Sequence, residues 1–320
     1  LRLYIGKEIS GRFVLEKITY TENVATRYQA LILKDKTGRV YGKCWAEQMK
    51  KEYEKLEGKV VEVIGRVEIF RDACELRVAR IREVPADQVD PMDYYDSLTE
   101  AEVNSLVAEI GTILQNDVTN NGVRALISQA FKPERLEKLK ILPAAGRMHH
   151  DYRGGWLQHT LETFRIANSL AQLLGDRFLK LDPNILAAGA LLADIGALNQ
   201  FEQPVGQFDS PRIGEHGRMI PIETDSLVLI GCLAQRLPLE YRIDAGTLTK
   251  ILEVVGNIQA DGNPSTKEGI VLKLAKELSA SCSAFDQCFS NADGTEERKN
   301  EMNSVYFGRT IRRFRGEEKR

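Results

Sequence analysis

The run Pro143-Ala144-Ala145-Gly146-Arg147-Met148-His149-His150-Asp151-Tyr152-Arg153-Gly154-Gly155-Trp156-Leu157-Gln158-His159-Thr160 carries more information than any other in the chain. It sets paired histidines before a Gly-Gly turn, and the turn opens a helix read over Trp156–Leu174 that holds His159 in its first turns. A second helix, read over Asn184–Asp194, closes in Ala190-Leu191-Leu192-Ala193-Asp194-Ile195-Gly196-Ala197. Residues of this type on separate helices converge on divalent metal: a carboxylate bridges ions, neutral imidazoles complete the shell, and bound water becomes a nucleophile near neutral pH. Neighbours on a helix point about 100° apart, so an acid of this kind reaches a shared pocket best from a helix end. Arg147, His149, His150 and Arg153 are candidate phosphate contacts. The alternative is that this loop simply packs the helix after Gly154-Gly155.

Outward from that stretch the chain reads as helical. Apolar residues recur at Val103, Leu106, Val107, Ile110 and Leu114, one stripe of an amphipathic helix, with Ser97 and Glu100 as its capping box. A second helix turns Val123, Leu126, Ile127 and Phe131 inward, and others follow at Ser226–Arg236, Thr247–Val255 and Thr266–Ser281. No persuasive strand is read in this part.

Before it, residues 11–84 alternate as strands do. Gly11–Tyr20, Tyr28–Lys34, Arg39–Trp45, Val60–Phe70 and Glu75–Val84 read as five strands, with a charged, helix-prone stretch at 46–57 ending on Gly58. Three strands, a short helix and two strands is the order of an OB-fold. On the third strand Tyr41, Lys43 and Trp45 share one face, which suits base stacking around a cation; Arg66 and Arg71 add charge. The competing reading has Trp45 closing the barrel with Tyr41 shielding it. Pro85 and Pro91, amid Asp87 and Asp90, end the barrel.

Length and charge agree with this division. A chain of 320 residues is long enough for two cores. Residues 1–85 hold 18 Lys/Arg against 13 Asp/Glu, so the total of −2 splits into about +5 there and about −7 beyond. A basic barrel on an acidic body points to a polyanionic ligand. Five cysteines with no CxxC pair suit a reducing compartment, and the expected localisation is cytoplasmic. No apolar run approaches the ~20 residues of a membrane span, and Leu1–Lys7 lacks the apolar core of a secretory leader. No membrane partner is expected.

The order of barrel, helical linker and Pro-Ala-Ala…His-His-Asp-Tyr…Gly-Gly-Trp-Leu-Gln-His-Thr-Leu resembles the YhaM-type 3′–5′ exoribonuclease family, in which an OB-fold precedes an HD domain. The resemblance covers nearly the whole chain and is most specific over residues 143–161. It implies an α+β multidomain fold, an N-terminal OB-fold barrel followed by an all-α HD-type helical domain. The expected divisions are 1–85 for a nucleic-acid-binding OB-fold, 86–140 for a linker and helical lead-in, 141–290 for the HD-like domain, and 291–320 for a C-terminal helix and basic tail.

Carried over by position, His159 matches the family's first metal histidine and Asp194 its metal aspartate. Ala193 stands where the HD histidine falls, and Ala197 where a lysine follows Asp-Ile-Gly. Cys232, Val254, Gln259 and Ala260 occupy places of histidines, and Lys276 and Ser279 those of aspartates. Two ligands are too few for a catalytic metal, which uses three or more. Lys276 is expected to face Asp194 and supply the charge that metal would otherwise bring; His216 is the one further histidine that could act as a substitute ligand.

Three functional readings follow. The first is a protein that binds single-stranded RNA or DNA, RNA foremost, with an inactive HD centre and no cofactor. The second is an active 3′–5′ exoribonuclease dependent on Mn²⁺ or another divalent metal. The third is a non-catalytic scaffold that forms a homo-oligomer.

Overall fold

The computed structural model describes residues 2–22, 27–35, 38–70, 73–90, 93–94, 97–146, 148–175, 180–202, 211–259, 261–290, 301–304 and 306–312. The chain divides into two compact units, with the boundary between Asp96 and Ser97.

The first unit is a closed five-stranded barrel. Strands β1 (Glu8–Glu22), β2 (Arg27–Asp35), β3 (Gly38–Trp45), β4 (Val60–Phe70) and β5 (Ala73–Glu83) close in the order β1-β2-β3-β5-β4. All pairs are antiparallel except β3 with β5, where Tyr41, Gly42 and Lys43 run parallel to Glu75, Leu76 and Arg77. The period of two places Leu31, Leu33, Val61, Val63, Leu76 and Val78 inside, where they join Leu15, Val40, Cys44 and Val67 in one core. A 3₁₀ helix at Lys51–Leu56, with Tyr53 buried, spans the gap between β3 and β4. Gly58 ends it at φ +79°, a left-handed position that suits a residue without Cβ.

The second unit is helical. Its helices are α1 (Glu100–Asn116), α2 (Asn121–Ala130), α3 (Pro133–Leu139), α4 (Gly155–Gly175), α5 (Pro183–Leu192), α6 (Ala197–Gln200), α7 (Glu215–Met219), α8 (Ile222–Gln235), α9 (Ala245–Asn257) and α10 (Lys267–Ser290). They surround a core in which Trp156, Leu157, Leu161, Ile185, Leu191, Val254 and Leu272 are buried. The α+β architecture of an OB-like barrel followed by an HD-type helical region is thus the fold of this protein.

Several local readings need correction. The capping box of α1 is Thr99 with Glu102, two residues beyond the expected Ser97 and Glu100: Thr99 N donates to Glu102 Oε2 at 2.7 Å, and Glu102 N to Thr99 Oγ1 at 3.2 Å. The helical part also contains two short antiparallel ladders, β6 (Phe201–Glu202) with β7 (Arg212–Ile213) and β8 (Glu301–Ser304) with β9 (Arg309–Arg312). The second stands where a C-terminal helix was expected. Gly308 at φ +60° lets the chain reverse there, and a reversal within four residues cannot belong to a helix. The long helix expected to end at Ser281 continues to Ser290.

Candidate functional site

The pocket of the helical unit is built on three segments. Loop residues 143–154 lead into α4 through an unusually close backbone approach: a Cβ on Gly155 would sit 2.1 Å from His150 O. His150 itself adopts φ +45°, a conformation uncommon for a residue with a side chain. Its O accepts from Ala144 N at 3.1 Å and its N donates to Ser283 Oγ at 2.8 Å, so both sides of the residue are tied down. Trp156, one residue into α4, donates from Nε1 to Asp194 O at 2.9 Å and from its backbone N to Leu142 O at 3.0 Å. That buried indole links the start of α4 to the turn after α5 that carries Asp194.

His159 follows one turn into α4, and Glu162 three residues later faces the same way. Across from them α10 presents Lys276, Ser279 and Ser283, spaced three and four apart and so on one face. His149, His150 and His159 are brought together. Their ring nitrogens, one from each, lie within 4.8 Å of one another. His149 Nδ1 and His150 Nδ1 are 3.4 Å apart. His150 Nε2 lies 3.0 Å from Glu162 Oε2. Ser279 Oγ donates to Glu162 Oε2 at 2.8 Å, so His159 Nδ1, 2.9 Å away, donates to Ser279. His159 Nε2 is buried with no hydrogen-bond partner among the described residues.

The electrostatics follow from burial and these contacts. Burial pushes the His149 imidazole down to about 4, helped by repulsion from His150. Burial and the neighbouring histidines hold His159 well below its ordinary value, so both rings are neutral at pH 7. Burial disfavours the Glu162 carboxylate, but hydrogen bonds from His150, Gln158 and Ser279 outweigh it and bring the group to about 2.

Asp194 is 8% exposed. Lys276 Nζ donates to Asp194 Oδ1 and to Gln259 Oε1, both at 2.7 Å, and Gln259 Nε2 donates to Asp194 Oδ1 at 3.3 Å. Burial alone would raise the Asp194 pKa; the Lys276 charge and these hydrogen bonds hold it below the ordinary carboxylate value. Val254, Ala193 and Ala197 are buried in the apolar core, while Cys232 is exposed on α8. The Lys276 ammonium is thus a direct charged partner of the Asp194 carboxylate.

His216 lies elsewhere. It is exposed on α7, with Nε2 3.0 Å from both carboxylate oxygens of Asp225. Arg153 is partly buried, and its O accepts from Leu98 N at 3.0 Å. Arg147 and Ala260 fall outside the described residues. Reading the sequence alone missed Glu162 and Ser283. The signal for Glu162 was its i+3 spacing from His159; nothing local marks Ser283.

The barrel carries a separate candidate surface. Tyr41 is 58% exposed. Lys43 points alongside it, with Nζ 4.2 Å from the Phe70 ring centroid, 5.8 Å from that of Tyr28, and 2.6 Å from Glu75 Oε2. Trp45 packs on Tyr28 at 5.3 Å between centroids. Two aromatic rings, Phe70 and Tyr28, therefore lie within cation–π range of Lys43. Arg66 donates from Nε to Gly6 O at 2.9 Å, and Arg71 falls outside the described residues. Tyr28, Phe70 and Glu75 join this face only through the barrel register.

Barrel and helices define a class: an OB-like barrel in one chain with an HD-type helical region, in which Lys276 engages Asp194. No protein-family model matches the chain. Among curated proteins, the 3′–5′ exoribonuclease YhaM of Oceanobacillus iheyensis is 25% identical over 240 residues, 74% of this chain and 72% of that protein. The YhaM protein of Halalkalibacterium halodurans is 26% identical over 205 residues, 63% of this chain and 61% of that protein. The chain is thus similar to YhaM-type proteins over most of its length. Among solved structures, a replication protein A heterotrimer bound to ssDNA is 21% identical over 24% of this chain and 57% of that one; its TM-score of 0.19 is too low to bear on the fold. No helix among the described residues is long and apolar enough to cross a membrane.

Proposed function

We propose that this protein binds single-stranded nucleic acid, RNA foremost, through the barrel face of Tyr41, Lys43 and Trp45, and that its HD centre no longer hydrolyses the strand. The observation that carries this reading is the Lys276 ammonium, 2.7 Å from Asp194 Oδ1. A dication bridging that carboxylate has to displace a fixed positive charge. Exposed aromatics beside a cation favour binding, since bases stack on such rings whatever their sequence. The relatives' name is the ground for RNA over DNA.

The same name favours a second reading, an active metal-dependent exoribonuclease. One experiment separates the two: the purified full chain is incubated with a 3′-extended labelled single strand and Mn²⁺, and binding and shortening are followed together. The first reading expects retention of the strand, steep loss of affinity with salt, and no shortening. Shortening from the 3′ end that disappears in Asp194→Asn would overturn it.

A further inference from the structure

We propose that His149, His150 and His159 form a mononuclear transition-metal site suited to Zn²⁺, beside the aspartate that the family frame marks rather than on it. The ligand set is three imidazoles whose nitrogens already lie within 4.8 Å of one another. Two nitrogens on one tetrahedral zinc, at bond lengths of about 2.0–2.1 Å, sit roughly 3.3–3.4 Å apart. The His149 and His150 Nδ1 atoms are 3.4 Å apart.

The outer nitrogens are arranged as a metal site requires. A ligating histidine donates its other N–H to a carboxylate or similar acceptor, which fixes the ring and the tautomer. Here one carboxylate, Glu162, serves two rings. It receives His150 Nε2 directly at 3.0 Å, and His159 Nδ1 by way of Ser279, through steps of 2.9 and 2.8 Å. Both inner rings then present bare lone pairs, at His150 Nδ1 and His159 Nε2. Without an ion, the His150 lone pair can accept the Nδ1 proton of His149, but the His159 lone pair is buried and has no partner among the described residues. Leaving a buried acceptor unsatisfied is unfavourable, and an ion at this point satisfies it. On binding, the His149 proton moves from Nδ1 to Nε2, so the ring stays neutral while its Nδ1 turns to the metal.

The same features select the ion. Three neutral nitrogens suit zinc, whereas Mg²⁺ and Ca²⁺ prefer carboxylate and carbonyl oxygen. The nearby carboxylate of Asp194 is held by Lys276, whose charge disfavours a second ion there. This site does not depend on nucleic-acid binding and is measured without a strand present.

The test is calorimetric titration of the chelator-treated full chain with Zn²⁺, Mn²⁺ and Mg²⁺, followed by X-ray absorption on the zinc-loaded protein. One Zn²⁺ per chain is expected, bound about 100-fold or more tightly than Mn²⁺, with three imidazole nitrogens around it. His149→Ala is expected to weaken binding by at least about ten-fold, and Glu162→Gln by about 10–100-fold through the two rings it orients. Absence of stoichiometric Zn²⁺ binding, fewer than three imidazoles in the absorption spectrum, or unchanged affinity in folded His149→Ala would each overturn the proposal. Should a variant fail to fold, the imidazole count on the unmodified chain decides.

Discussion

Lys276 on α10 and Asp194 after α5 form a buried ion pair, Nζ to Oδ1 2.7 Å, with Gln259 bonded to both partners. The carboxylate is 11% exposed at its side chain and the lysine 13%. A pair this deep gains little net stability from its own attraction, because desolvation of both charges opposes it. Its importance lies in what either charge becomes without the other.

Lys276→Met leaves the carboxylate buried and unpaired, at an expected loss of about 3–5 kcal/mol of folding stability. The double variant Asp194→Asn/Lys276→Met removes both charges and is expected to recover most of that. Urea unfolding of the two proteins checks the difference. Equal loss in both would mean that packing, not charge, dominates at this position.

The pair also predicts a change of sign in the pH dependence. Asp194 has a folded pKa below its ordinary 3.8, so its contribution is present above that value and is lost as pH falls through the folded pKa. In Lys276→Met the largest opposing influence is gone, burial is countered only by His159 and the Gln259 hydrogen bond, and the folded pKa is expected to rise above the unfolded one. Acidification from neutral pH then neutralises a strained carboxylate, so this group's contribution becomes more favourable. Thermal or urea unfolding across pH 4–7 is expected to show Lys276→Met closing part of its gap to the unmodified chain as pH falls.

On the barrel, the structure pairs the stacking candidates with an internal competitor. Lys43 is bound to Glu75 at 2.6 Å, so that carboxylate opposes phosphate at the centre of the aromatic face. Glu75→Gln is expected to tighten single-strand binding and steepen its salt dependence. Tyr41→Ala is expected to weaken it by about 1–3 kcal/mol, the worth of one stacked base. Fluorescence anisotropy at several salt concentrations measures both, and unchanged affinity in Tyr41→Ala would remove this face from consideration.

Gly155→Ala tests the geometry that holds the histidines. Its Cβ would meet His150 O at 2.1 Å and His150 Cβ at 3.1 Å. Backbone has to move, and His150 moves with it. A loss of more than about 1 kcal/mol is expected, within the usual range for a backbone clash, together with shifted histidine resonances in NMR spectra. Gly111→Ala, with nothing within 4 Å of its Cβ, serves as the control.

The barrel was legible because alternation with period two is a local property, visible at Leu31/Leu33 and Val61/Val63 without knowledge of the partner strands. The helices were legible for the same reason, at period 3.6. Their exact limits were not: Thr99 rather than Ser97 caps α1, because either hydroxyl has an acid three residues on and only the path of the chain selects one. The C-terminal hairpin was missed because four-residue strands are too short for periodicity to register.

The sequence by itself determined the succession of barrel and helical unit and the likeness to YhaM-type proteins. These follow from residue identity and spacing along one chain. Only the tertiary structure decided that Glu162 would orient two rings, that Ser279 would relay between Glu162 and His159, and that His149 and His150 would stand against His159. The physical reason is that these contacts cross between α4, α10 and the 143–154 loop, and the α10 serines lie more than a hundred residues from their partners in both other segments. The close packing of His150 O on Gly155, which leaves no room for a Cβ, and the left-handed turn at His150 set the histidine geometry, and backbone packing of that kind has no signature in residue type beyond a glycine.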